Sequence, residues 1–117
     1  MPYDRELAQR IRVLVEGSYG LSEKAMFGGL AFLINGHLAV AAGSRGALMV
    51  RVAPEQTAQL LDPPRVERFV MRGRALDGWL DVSPEAVADD EALHRWVDEG
   101  MTYAASLPPR EGTEPGG

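Results

Sequence analysis

The sequence predicts an α+β domain: one five-stranded antiparallel sheet packed with helices in two layers. Three observations lead there. Residues 26–52, MFGGLAFLINGHLAVAAGSRGALMVRV, form three short apolar runs separated by turn signals. Residues 4–16 and 93–104 repeat their apolar positions at helical spacing. The chain has 117 residues, 45% hydrophobic and 25% charged, which suits one globular domain with its own core.

The first helix places Leu7, Ala8, Ile11, Leu14 and Val15 on one face, with Asp4 as N-cap and Gly17 as the stop. Ser18-Tyr19-Gly20 reads as a loop. In the meander, Asn35-Gly36 between apolar runs is a strong hairpin signal, since a type I′ turn needs φ > 0 at both positions. A second turn at Ser44-Arg45-Gly46 precedes a strand over Ala47–Val52. The pair Gly28-Gly29 lies inside the first strand pattern, as a bulge or as a place where a ligand or another backbone approaches.

Pro54–Leu61 reads as a short helix opened by proline and ended by Asp62-Pro63-Pro64. Val66–Ala75 reads as a fourth strand, Asp77-Gly78 as a turn and Trp79–Val82 as a fifth strand. Ser83-Pro84 opens a helical stretch, with Asp89 or Asp90 as an alternative cap. Leu93, Trp96, Val97, Met101 and Ala104 mark its inner face, and Pro108-Pro109 stops it. The order is α-β-β-β-α-β-β-α. Residues 1–107 make one domain, and the Pro/Gly-rich end, 108–117, reads as a disordered tail.

Met26, Leu30, Phe32 and Ile34 are apolar on one parity and Phe27, Ala31 and Leu33 on the other; Leu38–Ala42 is apolar on both. A sheet with one wet face would alternate. Both faces of the sheet centre are therefore expected to be covered, one by helices and the other by the remaining helix, the tail or another molecule.

Composition narrows the function. There is no cysteine, so disulfides and thiolate chemistry are excluded. The N-terminal stretch is charged and has no apolar signal core, and no run approaches the roughly 20 apolar residues of a membrane span. A cytoplasmic protein without membrane association is expected. The net charge of −5 suits general nucleic-acid binding poorly. His37 and His94 have no partner at ligand spacing, and Asp89-Asp90-Glu91 fits a helix cap better than a calcium loop. No phosphate loop or nucleophile elbow is present. No catalytic residue, metal or cofactor is predicted.

Charge is unevenly placed. Residues 65–74 set Arg65, Arg68, Arg72 and Arg74 against Glu67, a balance of +3. Residues 81–99 set seven acids against Arg95, a balance of −6. The arginines are interaction candidates for nucleic acid or an acidic protein; alternatively the strand pairs with the acidic helix, within the chain or across a dimer.

The order and spacing of several motifs resemble the N-terminal domain of the TfoX/Sxy family of bacterial competence regulators. The motifs are Lys24-Ala25-Met26-Phe27-Gly28-Gly29, Asn35-Gly36, Leu48–Val52, Phe69-Val70-Met71-Arg72-Gly73, Trp79, and the last helix with Trp96-Val97 and Tyr103-Ala104. They span roughly residues 5–107. The resemblance implies a fold like that of the secretion chaperones and no enzyme activity; longer members, which add a C-terminal helical domain, act as transcriptional co-regulators, and a stand-alone N-terminal domain is expected here. It makes Met26, Phe27, Gly28, Gly29 and Trp79 motif positions. Three functions are expected in order: a protein-interaction or regulatory domain that binds a protein partner or itself, a nucleic-acid-associated regulator using the four arginines, and a small-ligand domain near Gly28-Gly29 and Trp79.

Overall fold

The computed structural model describes residues 4–26, 28–43 and 45–109. Helix α1 (Arg5–Val15) begins where the Asp4 side chain accepts a hydrogen bond from the Leu7 N–H at 2.9 Å. It ends at Glu16 and Gly17, the glycine at φ 82°. Six antiparallel strands follow: β1 (Leu21–Met26), β2 (Gly29–Ile34), β3 (His37–Ala42), β4 (Leu48–Arg51), β5 (Val66–Met71) and β6 (Arg74–Val82). Their order across the sheet is β1-β2-β3-β4-β6-β5. Between β4 and β5 lie a 3-10 turn (Pro54–Gln56) and the one-turn helix α2 (Thr57–Leu60). A second 3-10 turn (Pro84–Val87), capped by Ser83, leads into α3 (Asp90–Ser106), capped by Asp89.

The α+β class and the single antiparallel sheet agree with the sequence reading, but three boundaries differ. The sheet has six strands, not five. Met26 and Gly29 face each other across a β1–β2 hairpin, so Gly28-Gly29 marks a chain reversal rather than a bulge. Polar Leu21–Ala25 lacks strand alternation because it is an outer strand exposed on both faces. Arg72-Gly73, with φ of 54° and 80°, forms the hairpin turn between β5 and β6, so the strand read over 66–75 is two strands. Asp77-Gly78 is not a turn: Arg68 pairs with Leu80 and Phe69 with Leu76, leaving residues 77–79 as a bulge inside β6.

A buried threonine holds that bulge. Thr57 is fully buried, and its hydroxyl accepts a hydrogen bond from the Gly78 N–H at 2.7 Å. The Val52 N–H donates to the Gly78 carbonyl at 2.9 Å. Thr57→Val keeps the shape but leaves a buried N–H without an acceptor. A loss of about 1–3 kcal/mol in urea unfolding, with an unchanged slope, is expected.

The main core lies between the helices and one sheet face. Leu30, Phe32, Val40, Val50, Leu80 and Val82 meet Leu7, Ile11 and Val15 of α1 and Leu93 and Val97 of α3. A second bulge lets α3 come close. Phe32 pairs with Val40 and Leu33 with Leu38, so Ala39 is the extra residue in β3. Ala39 packs with Ile34 and Ala104, and its carbonyl lies against Gly100.

The other face is also covered, as its two-sided apolar pattern requires, though not by a helix. Ala31, Leu33, Leu38, Ala41 and Met49 are buried under Met26, Phe69 and Trp79. Among the described residues, no helical residue belongs to this cluster. Met26 sits on one edge strand and Phe69 on the other. Five strand spacings of about 4.8 Å would set those edges roughly 24 Å apart in a flat sheet. Met26 and Phe69 nevertheless line one basin, so the sheet curls and its own rim helps to cover its concave face. Phe27, expected on this face, lies outside the described residues.

Candidate functional site

The concave face gathers the polar groups that the main core excludes. An open basin of about 190 Å³ runs over it, floored by Gly29 and Ala41, walled by Met26, Met49 and Phe69, and edged by Asp81. The floor is low because its residues are small. A Cβ on Gly29 would overlap the Ala42 carbonyl oxygen, so only glycine permits this approach of β2 to the end of β3.

Glu67 and Asp81 stand directly opposite on β5 and β6. Like charges in that position repel. Burial, and next the charge of Glu67, hold the Asp81 carboxyl above the usual carboxylate range. A raised carboxylate pKa means that the ionised form costs stability. The cost is present at neutral pH and is relieved as pH falls through the raised value. Asp81→Asn is therefore expected to stabilise the fold at neutral pH by less than about 1 kcal/mol, because the side chain is still open to water. Urea midpoints of the two proteins should converge near about pH 4, where the ordinary carboxylate protonates.

At the far end of β4, the Arg51 guanidinium lies 4.6 Å from the Trp79 ring centre and 5.6 Å from that of Tyr103 in α3. Its Nε is buried and has no hydrogen-bond acceptor among the described residues, and the two rings flank the charge. This stack ties α3 to the strands of the concave face. Glu23 of β1 is held to α1 by both nitrogens of a fork from Arg12, at 2.8 and 3.0 Å. The hydrogen bond from Arg12 lowers the Glu23 pKa.

The four arginines singled out by the sequence do not form one stripe. Arg68 is spent locally, its Nε donating to Asp77 at 2.8 Å. Arg72 occupies the β5–β6 turn and Arg74 opens β6. Arg65 lies before β5 at the opposite end, its carbonyl accepting from the Ser83 N–H at 2.8 Å. Seven residues of extended chain separate Arg65 from Arg72, roughly 23 Å. Of the motif positions, Met26 and Gly29 meet at the basin. Trp79 packs on the same cluster without lining the basin, and Gly28 stands in the turn at φ 74°. Phe27 is outside the described residues. Sequence reasoning missed Arg51, Thr57 and the Glu67–Asp81 pair. None of these carried a distinguishing local signal, since Thr57 shares its short segment with polar Glu55, Gln56 and Gln59.

His37 Nε2 lies 2.6 Å from the Pro108 carbonyl oxygen. Among the described residues, no three His, Cys, Asp or Glu side chains are placed to hold a metal ion. No helix among the described residues is long and apolar enough to cross a membrane. The chain belongs to the TfoX N-terminal domain family, whose model matches residues 14–104. Membership supports a regulatory or competence-related domain of a generally non-enzymatic kind. No curated protein and no solved structure matches the chain.

Proposed function

We propose that this chain is a non-enzymatic interaction domain that regulates transcription through a protein partner in the cytoplasm. The family match carries the reading. The charge of −5 supports a protein partner over direct binding to DNA, because phosphate contacts dominate non-specific affinity. The dispersal of the four arginines points the same way. The chain's own side chains cover most of the apolar cluster on the concave face, which favours an edge or the helical surface for self-association. Val13 and Leu14 are exposed on α1, 63% and 36%, beside Leu93 of α3.

The test is a gene deletion in the host, with transcripts measured genome-wide and the gene restored in trans. A defined transcript set that changes and recovers is expected. Unchanged transcripts would end the regulatory reading. A duplex-DNA titration at low salt is expected to show no binding; salt-dependent binding would favour the arginine-based alternative. The basin near Gly29 supports a small-ligand reading less well, since about 190 Å³ falls below the roughly 300 Å³ at which small-molecule pockets begin.

A further inference from the structure

We infer that the outer edge of β5 receives an extended acidic segment of a partner protein as a seventh strand. The inference rests on the reading of the chain as an interaction domain and names the surface. β5 is the last strand of the sheet and pairs only with β6. The N–H and C=O of Val66 are both bonded outward to Asp62, at 3.0 and 2.9 Å. Antiparallel alternation then turns the backbone groups of Arg68 and Val70 outward too. Beyond Asp62, no strand among the described residues lies beside these groups. They form a short template of the kind that recruits a peptide.

Side chains specify the guest. Val70 is 58% exposed, an apolar contact at the centre of the open stretch. Arg65, Arg72 and Arg74 stand at the ends of β5 and in its hairpin, and none makes an ion pair among the described residues. The acids of this edge, Asp62 and Glu67, leave the stretch 62–74 with a surplus of positive charge. A second copy pairing antiparallel about Arg68 or Phe69 would set Arg65 of each chain beside Arg72 of the other. Charge therefore disfavours self-pairing and favours an acidic strand with an apolar residue to meet Val70. The opposite edge lacks these features: in β1, Glu23 is neutralised by Arg12, and no large apolar side chain is exposed.

The test uses the full isotope-labelled chain and a short synthetic peptide alternating Glu and Val. Amide shifts and exchange protection centred on Arg68 and Val70 are expected, with affinity falling as salt rises. The same peptide N-methylated at alternate amides cannot extend the ladder and should bind at least about tenfold more weakly. Arg65→Glu, Arg72→Glu and Arg74→Glu together should shift preference to a Lys–Val peptide, with the fold checked by circular dichroism. Equal binding of the N-methylated peptide, shifts confined to β1, displacement by duplex DNA, or no shift at all would each overturn the inference. A chain that fails this titration yet still controls transcripts loses this edge and keeps the proposed function.

Discussion

Gly100→Ala will destabilise the protein by about 2–4 kcal/mol, although alanine is the better helix former. Helix propensity alone favours the substitution by up to about 1 kcal/mol. Packing reverses the sign. Gly100 is buried in α3 where the helix crosses β3, and a Cβ there would overlap the Ala39 carbonyl oxygen and stand 2.8 Å from Val40 Cγ1. Neither neighbour yields easily, since one is backbone and the other is a fully buried core side chain. Relief requires α3 to lift from the sheet, which would open the contacts of Leu93, Val97 and Ala104. Urea unfolding of the variant checks this. A stability equal to or above the parent's would show that α3 does not pack this closely on the Ala39 bulge.

Trp79→Ala should cost about 2–4 kcal/mol and, unlike the glycine variant, should expose a new apolar surface. Trp79 covers part of the cluster of Leu33, Leu38 and Met49 and carries the Arg51 guanidinium on its ring. Its loss uncovers the concave face and leaves a charged group beside Tyr103 alone. Dye binding and concentration-dependent association should both rise. A loss of stability without either change would mean that the remaining rim, Met26 and Phe69, is enough to cover the face. Trp79→Phe, which keeps a ring in place, should recover most of the stability and leave association at the parent's level.

Both variants act where local and tertiary preferences differ, and the sequence was legible up to that point. Asp4, Asn35-Gly36, Ser83 and Asp89 carry their instructions in their own chemistry: a short acceptor for an open N–H, or a backbone that tolerates positive φ. Each is found in its expected role. The apolar doubling of residues 30–34 and 38–42 likewise required two covered faces, and both are covered.

Strand partners were less legible. Had β5 and β6 continued the regular pairing of their turn, Glu67 would face Gly78 and Asp81 would face Pro64. The three-residue bulge at 77–79 instead sets the two carboxylates opposite each other and turns Leu80 and Val82 into the main core. That bulge depends on Thr57, twenty-one residues away in sequence, so no local window contains its cause.

By itself the sequence determined the class of fold, the helix caps, the tight turns and the need to bury both sides of the sheet. Those follow from short-range sterics, capping and hydrophobic spacing, which act within a few residues. Tertiary structure alone decided the register past each bulge, the curl that makes the rim a cover, the pairing of Glu67 with Asp81, the Arg51 stack and the free edge of β5. These depend on which distant backbones lie side by side, because a strand's partner is selected by the packing of the whole sheet and a shift of one residue exchanges its faces.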